Sequence, residues 1–390
     1  MTLRFLTAGE SHGKALTAIV EGIPAGLALS EEYIARDLRR RQGDRGRGKR
    51  QQIESDRAEI VSGVRHGLTL GSPITLVVAN RDWENWRDVM DVEAGSSPIE
   101  PVTRLRPGHA DLAGTMKYGQ ADVRNVLERA SARETAARVA VGAVARRFLE
   151  EFGVEVRSHT IAIGGIEANV VGEPDWQAVE ESPLRCADPD AGQRMLAAID
   201  AARADGDSLG GVTEVRATGV PVGLGSHVHW DRRLSALLAQ ALMSIPSVKG
   251  VETGEGFALA RMRGSESQDV ILPVDEWGER PWRRASNHAG GIEGGMTNGE
   301  PLVLRAALKP ISTLARSLPS ADLATGESVE AHYERSDVCI VPVAGVIAEA
   351  VVAIVLAGAV LDKFGGDHID ETLRNHRTYT ETVGPHPAGG

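Results

Sequence analysis

The length, composition and charge of this chain indicate an acidic globular protein. With 390 residues it can form one large or two ordinary domains, and its hydrophobic content of 42% can fill a core that is poor in aromatic residues. Its formal net charge of −11 argues against a general nucleic-acid-binding protein, because neutralising phosphates requires an excess of Lys and Arg; its two cysteines exclude a disulfide framework or a cysteine-rich zinc site.

The first 150 residues contain short predicted strands and two predicted helices. A capping residue at Ser30 and apolar residues four apart predict a helix that ends in the arginines at 39–41. A longer, alanine-rich helix is predicted over 131–152, where a glycine ends it. Segment 82–102, with two tryptophans and two prolines, is predicted to be an irregular surface excursion. The predicted strands of this part cover 3–6, 16–21, 60–64 and 73–79.

The second half continues this mixture and contains a strongly apolar helix. Helices are predicted over 234–243 and 346–364, and strands over 154–164, 212–222 and 302–308. The apolar run 350–361 is too short to cross a bilayer; together with the absence of a signal pattern and the scarcity of cysteine, this predicts a cytoplasmic protein. Because strands and helices come in blocks, the predicted fold class is α+β. We expect one domain over 1–378 and a loose C-terminal tail over 379–390.

The segment from 106 to 111 carries the strongest chemical signal in the chain. It contains Arg106 and His109 on a loop that Pro107 stiffens and Gly108 loosens. Such a loop can hold a cation and a proton donor in place without a regular element beneath them. We therefore predict that both side chains belong to an active site.

A predicted helix start follows some twenty residues later. Ser131 and Glu134 match a capping box, in which each side chain accepts from the backbone N–H of the other residue. Arg129 and Arg133 flank this start, and the partial positive charge of a helix N-terminus adds to theirs. A capped helix beside arginines is more often only structural, but the combination also fits an anion site.

Four further blocks combine glycines with hydroxyl, imidazole and charged side chains. They cover 8–13, 286–299, 309–313 and 335–339. Together with the two segments above, in this order and from Leu3 to Arg377, these blocks resemble chorismate synthase. The resemblance implies a single layered domain of antiparallel sheets and helices, a β-α-β sandwich.

The resemblance also implies a reaction and its cofactors. The family is a carbon–oxygen lyase that converts 5-enolpyruvylshikimate 3-phosphate to chorismate and phosphate by a 1,4-anti elimination, the last step of the shikimate pathway. Reduced FMN (FMNH2) lends electron density and takes it back, without net redox change. The sequence leaves open whether NADPH reduces the flavin on the enzyme or an external flavin reductase does so. A homotetramer is implied, and neither nucleic acid nor a membrane is expected as a partner.

The same resemblance assigns roles to individual residues. His12 would protonate the leaving phosphate, His109 would protonate or hydrogen-bond the reduced flavin, and Asp337 would manage the proton at flavin N5. The implied substrate-binding residues are Ser11, Arg41, Arg47, Arg106, Arg133 and Arg335. The implied flavin-binding residues are Arg129, Ala130, Ser131, Pro246, Ser247, Gly294, Lys309, Pro310, Ile311, Ser312, Thr313 and Arg335. Arg41 and Arg47 would contact the substrate, the nicotinamide cofactor or both.

Several features allow a second interpretation. Residues 36–50 carry seven arginines and one lysine, which form either a mobile lid over a multiply anionic substrate or a solvated basic loop. RNA binding through this loop is disfavoured because no aromatic residues interleave with the arginines. His227 and His229 lack a third ligand, so we predict no metal site. A flavin- or nucleotide-binding protein without catalysis is the alternative from another class, which the presence of both histidines and Asp337 disfavours.

Overall fold

A computed structural model describes residues 3–43, 56–93, 99–273, 282–334 and 337–383. Its helices are α1 (Glu31–Arg41), α2 (Trp83–Trp86), α3 (Asp111–Tyr118), α4 (Arg124–Ala130), α5 (Thr135–Glu150), α6 (Trp176–Glu181), α7 (Pro189–Ala204), α8 (Leu234–Met243), α9 (Gly264–Ser267), α10 (Val341–Phe364) and α11 (Ile369–Thr382). Its strands are β1 (Arg4–Ala8), β2 (Ala15–Glu21), β3 (Ala58–Ser62), β4 (Val64–Arg65), β5 (Leu68–Thr69), β6 (Ile74–Ala79), β7 (Glu155–Ile163), β8 (Ile166–Glu167), β9 (Gly211–Thr218), β10 (Val248–Thr253), β11 (Ile292–Glu293), β12 (Met296–Thr297), β13 (Leu302–Leu308), β14 (Pro319–Ala321) and β15 (Ser328–Glu330).

The longer strands form two antiparallel sheets. The first has the order β1-β2-β6-β3 and the second the order β10-β13-β9-β7-β8. In β2, the alternate residues Leu16, Ala18 and Val20 are buried, as the two-residue period of a strand requires when one face meets the core. Each sheet therefore has one face on which helices can pack.

Two helices fill the space between the sheets. Helix α5 packs on β2 and β6 of the first sheet, α10 packs on β7 and β9 of the second, and α5 and α10 pack on each other. A side chain at Gly142 of α5 would collide with Ala350 of α10, so the glycine permits the close approach of the two helices. The order sheet, helices, sheet confirms the predicted layered α+β fold.

A buried carboxylate lies at the centre of these layers. Glu349 of α10 is fully buried and accepts hydrogen bonds from Arg40 at 2.7 Å, Arg146 at 2.6 Å and Arg185 at 3.2 Å, and from the Ser158 hydroxyl at 2.7 Å. Burial alone would raise the pKa of Glu349, but the three guanidinium groups outweigh burial and hold the pKa well below its usual range. The cluster ties α1, α5 and β7 to α10.

The helix predicted over 131–152 was wrong at its start. Helix α4 ends at Ala130, Ser131 is extended, and a 3-10 helix over Ala132–Glu134 precedes α5. The predicted capping box is also wrong. Because the chain tightens into a 3-10 turn, the Ser131 hydroxyl accepts from the N–H of Arg133, two residues on, and the Glu134 carboxylate pairs with Arg138 at 2.7 Å.

The C-terminal tail was predicted too early. Residues 379–382 belong to α11, because Tyr379 packs its ring 5.6 Å from that of Phe364 and donates to the Val222 carbonyl at 3.2 Å. Residues 384–390 of the predicted tail lie outside the described residues.

Helix α10 extends the predicted apolar helix by five residues. With 24 residues it is long and apolar enough to span a membrane, yet 78% of its most apolar stretch is buried inside the protein. Its packing against α5 and the second sheet is that of a core helix.

We expect replacement of Glu349 by Gln to lower the free energy of unfolding by about 3 kcal/mol, because three guanidinium groups lose the carboxylate that they share and keep only Asp37 and Glu180 as counter-charges. The folded-state pKa of Glu349 is depressed, so its contribution is present above the ordinary pKa of about 4.3 and is lost as the pH falls further. Urea unfolding of both proteins at neutral pH and at about pH 3.5 measures the difference. Asp362→Asn, at an exposed position of the same helix, is the control; an equal loss in both variants would contradict the prediction.

Candidate active site

His12 lies in the loop between β1 and β2 and is held by α4 and α2. Its Nδ1 atom lies 2.8 Å from Oε1 of Glu128, and its backbone N–H donates to Oε2 of the same carboxylate at 2.8 Å. The ring of Trp86 stacks on the imidazole with centroids 3.7 Å apart. Only 6% of His12 and 2% of Glu128 is exposed. His12 is therefore a buried imidazole whose Nδ1 atom is engaged by a carboxylate.

Glu128 also binds Arg124, one helical turn earlier on α4. The Arg124 guanidinium donates to Oε1 of Glu128 at 2.9 Å and lies 5.2 Å from the centre of the Trp86 ring. Burial alone would raise the pKa of Glu128, but the hydrogen bonds from His12 and Arg124 outweigh burial and lower it. The carboxylate beside His12 is consequently ionised at neutral pH.

The turn between α4 and α5 lies beside this histidine. The Ser131 hydroxyl donates to that of Ser11 at 3.1 Å, which brings predicted flavin-binding residues 129–131 next to a predicted substrate-binding residue. Arg129 donates to the carbonyls of Thr7 at 2.9 Å and Gly9 at 3.0 Å. Its guanidinium thus ties the turn to β1.

Two predicted substrate-binding arginines meet at Asp56. Arg133 donates to the Asp56 carboxylate at 2.5 Å, and the Arg41 guanidinium lies 3.7 Å from it. Arg41 was assigned to a mobile lid, but it is the last residue of α1, only 5% exposed, and donates to the Thr135 hydroxyl and the Ala132 carbonyl at 3.0 Å. A guanidinium with these contacts braces the 3-10 turn next to Ser131.

The segment 106–111 holds its arginine and histidine around one carboxylate. Asp111, the first residue of α3, is fully buried and accepts from Nε of Arg106 at 2.8 Å. His109 Nδ1 lies 2.5 Å from Asp111 Oδ1 and 3.1 Å from Arg106 Nη2; because arginine cannot accept, the Nδ1–H belongs to the carboxylate. Burial alone would raise the pKa of Asp111, but these hydrogen bonds outweigh burial and lower it to about 2.

Block 309–313 packs against the same segment. The Lys309 ammonium donates to the Gly108 carbonyl at 2.7 Å, the Lys309 N–H donates to the Ser247 carbonyl, and Arg106 lies 3.5 Å from the Thr313 hydroxyl. Ser247 has a left-handed backbone with φ of 71°. Partial burial and the cation of Lys249 lower the pKa of Lys309. No carboxylate of the described residues pairs with either lysine, so this side of the site favours an anion.

Glu334 lies between the two histidine sites. Its carboxylate is 3.7 Å from Arg106 and 3.8 Å from Arg124. Burial alone would raise the pKa of Glu334, but His332 and these two arginines outweigh burial and lower it. Charged contacts therefore run from His12 through Glu128, Arg124, Glu334 and Arg106 to His109.

Other predicted site residues are placed less closely or not at all. Gly294 lies at the turn between β11 and β12, near the start of α8, whereas Pro246 and Ser247 follow the end of α8. The ten residues of α8 make the two ends of this helix about 15 Å apart. Asp337 precedes α10. Burial, with a smaller contribution from the negative charge of Asp337, raises the pKa of the Cys339 thiol to about 11. Arg47, with the rest of residues 44–55, and Arg335 lie outside the described residues.

The structure adds four residues that the sequence did not single out: Trp86, Arg124, Glu128 and Glu334. Trp86 lies in the segment that was predicted to be a surface excursion. Glu128 and Arg124 are four apart on α4, a spacing typical of an exposed helical ion pair. Nothing in the sequence distinguishes such a pair from one that encloses a histidine from a loop more than a hundred residues away.

Comparisons with known proteins identify the family of this chain. A family model described as chorismate synthase matches residues 3–361. The chain is 58% identical to the chorismate synthase of Moorella thermoacetica over 98% of this chain and 100% of that protein, and 58% identical to that of Desulforudis audaxviator over the full length of both. A crystal structure of chorismate synthase, 45% identical, covers 98% of each chain with a TM-score of 0.78.

The chain belongs to the chorismate synthase family. It is therefore a carbon–oxygen lyase that converts 5-enolpyruvylshikimate 3-phosphate to chorismate and phosphate, in the last step of the shikimate pathway. The reaction is a 1,4-anti elimination, in which phosphate and hydrogen leave from opposite faces of the ring. A single acid–base residue cannot serve both positions, and chorismate synthases depend on a reduced flavin in general. The separate imidazoles at His12 and His109 suit a reaction with separate centres.

We expect Gly108→Ala to impair chorismate synthase activity more than it impairs folding. Gly108 has a φ of 75°, and a Cβ there would lie 2.8 Å from the Lys309 ammonium, which must then move. Gly119→Ala is a matched control, because its φ of 65° imposes a similar strain while no atom lies within 4 Å of the added carbon. Both variants should lose about 1–2 kcal/mol of stability. Only Gly108→Ala should also lose about tenfold to a hundredfold in kcat/KM, and equal activity of the two variants would contradict this.

Proposed function

We propose that this chain performs the chorismate synthase reaction with FMNH2 as its flavin and with His12, His109 and Asp337 as catalytic residues. The observation that carries the proposal is the pair of imidazole–carboxylate contacts, His12–Glu128 and His109–Asp111, joined by arginines. In each pair the carboxylate engages Nδ1, so proton transfer to a ligand must use Nε2. One imidazole would then serve as the acid for the leaving phosphate and the other would face the flavin, while the proton lost from the ring would need a separate acceptor.

The residues around His109 fit a reduced flavin. The absence of a side chain at Gly108 lets the Lys309 ammonium approach the loop, and the Lys309 and Lys249 cations have no carboxylate partner among the described residues. A reduced flavin with its phosphate is an anion that these cations would balance. The residues that would hold it are Arg129, Ala130, Ser131, Pro246, Ser247, Lys309, Pro310, Ile311, Ser312, Thr313 and Arg335, with Gly294 at the far end of α8. When bound, the flavin supplies electron density to the substrate and recovers it.

The chain's own groups bind the substrate and move its protons. The residues that would bind the phosphate and carboxylates of the substrate are Ser11, Arg41, Arg47, Arg106, Arg133 and Arg335. His12 would donate a proton from Nε2 to the phosphate oxygen as the C–O bond breaks. His109 would hold a proton at Nε2 opposite the negative flavin, and Asp337 would hold the proton released from the ring. Burial of His12 and partial burial of His109 strengthen these interactions by excluding water.

The setting of the enzyme is proposed on the same basis. We propose a cytoplasmic homotetramer, since the relatives are bacterial biosynthetic enzymes and the apolar helix α10 is part of the core. Electrons for the flavin would come from NADPH bound near Arg41 and Arg47 or from an external flavin reductase. An anaerobic assay with FMN and NADPH as the only reductant separates these sources. An enzyme that depends on an external reductase forms no chorismate in this assay.

We expect turnover to require FMNH2 without consuming it. Chorismate formation should proceed under anaerobic conditions with FMN reduced by dithionite, should be absent with oxidised FMN alone, and should continue for many turnovers per flavin. The physical reason is that the elimination is redox-neutral. The measurement is chorismate absorbance together with the flavin spectrum; one reductant spent per product would overturn the proposal.

Replacement of either histidine by Ala should lower kcat by about a hundredfold to ten-thousandfold, the range of a positioned acid or base. The dissociation constant of the substrate should change much less, because proton transfer matters mainly in the transition state. Single-turnover kinetics and equilibrium binding give the two quantities. Weakened substrate binding with unchanged turnover would show that the histidines only bind. His229→Ala, at an exposed histidine paired with Asp231, is the control.

A further inference from the structure

We propose that Glu128 and Trp86 are positioning residues for His12: together they fix the tautomer, the position and the ring plane with which His12 meets the substrate phosphate. This inference rests on the proposed role of His12 as the acid. Neither residue is expected to touch the substrate or the flavin. Both would act through the imidazole.

Glu128 constrains His12 at two points. One carboxylate oxygen lies 2.8 Å from the ring Nδ1, and the other accepts the His12 backbone N–H at 2.8 Å. The ring and its own backbone are therefore bound to the same rigid group on α4. Because the Nδ1–H of His12 is donated to this carboxylate, neutral His12 is the tautomer that carries its proton on Nδ1, and Nε2 is the nitrogen left to meet the substrate.

Trp86 constrains the remaining freedom of the ring. The two rings stack with centroids 3.7 Å apart and planes inclined by 27°, which limits rotation of the imidazole about its χ2 angle. Arg124 lies 5.2 Å from the Trp86 ring and donates to Glu128, so the four side chains form a closed set of contacts. An indole face also attracts a cation, and therefore stabilises the charged imidazolium relative to the neutral ring.

One buried carboxylate is in direct contact with the His12 ring. Of the charged groups on α4, Glu128 is in contact with the ring and Arg124 lies behind it; α2 presents the neutral Trp86, and Glu10 and Lys14 of the same loop are exposed to solvent. Arg124 donates to the carboxylate that contacts His12. Because Glu128 is ionised and buried, water screens its interaction with the imidazole only weakly.

A double-mutant cycle with His12→Ala is the decisive experiment. Glu128→Ala should lower kcat about tenfold to a hundredfold in the wild-type background, with a small change in the substrate dissociation constant. In the His12→Ala background the same substitution should have no further effect, since the group through which Glu128 acts is absent. Additive losses in the cycle would overturn the inference. Full activity of His12→Ala would instead overturn the proposed role of His12.

Two conservative variants make the cycle informative if Glu128→Ala does not fold. Glu128→Gln keeps the size and one acceptor but removes the charge that favours the imidazolium, so the basic limb of its pH–rate profile should move to lower pH than in the wild type. Trp86→Phe should retain most of the activity that Trp86→Ala loses, because a ring face remains. An unshifted profile in Glu128→Gln, or equal activity of the two Trp86 variants, would count against the inference. Glu84→Gln, an exposed carboxylate on α2, is the matched control and should behave as the wild type.

Discussion

The buried carboxylate of Glu349 is the constraint on which the rest of the fold depends. Placing an ionised group among the apolar residues of α10 is unfavourable unless every oxygen is paired. Arg40 of α1, Arg146 of α5 and Arg185 of the segment between α6 and α7 pair with this carboxylate. The need to pair the Glu349 carboxylate therefore sets the position of α1 against α5 and α10. Since Arg41 follows Arg40 directly, it also brings the Arg41 guanidinium to the 3-10 turn beside Ser131.

The active site repeats the same physical solution at two smaller centres. Glu128 and Asp111 are buried carboxylates, each in contact with one arginine and one histidine. Such pairs hold imidazoles in defined positions at the end of short loops, which otherwise lack the rigidity that proton transfer requires. Glu334, between Arg106 and Arg124, places both centres in one electrostatic network. The two imidazoles are bound by different carboxylates, so they neither share a proton nor compete for one acceptor.

Local signals in the sequence predicted much of the fold correctly. Helix α8 and strand β13 have the predicted limits, and Ser30 caps α1 as its residue type suggested. The prediction began a helix at Ser131 but included neither α4, which ends at Ala130, nor the 3-10 turn over Ala132–Glu134. Ser11 and Arg41, both distant in sequence, form hydrogen bonds with this turn. The extension of α11 to Thr382 was missed for a similar reason, since Tyr379 also contacts the Phe364 ring and the Val222 carbonyl, which are distant in sequence.

The sequence by itself determined the family, the layered α+β class, and the positions of His12, Arg106 and His109 on glycine-containing loops, because these depend on residue type and local spacing. Only the tertiary structure decided which groups those side chains meet. The pairing of His12 with Glu128 and Trp86 joins segments more than seventy residues apart, and the balance between burial and ion pairing at Glu128, Asp111 and Glu349 exists only after the layers pack. Periodicity and motif spacing describe what each segment can form, whereas the energy of a buried charge depends on partners brought from elsewhere in the chain.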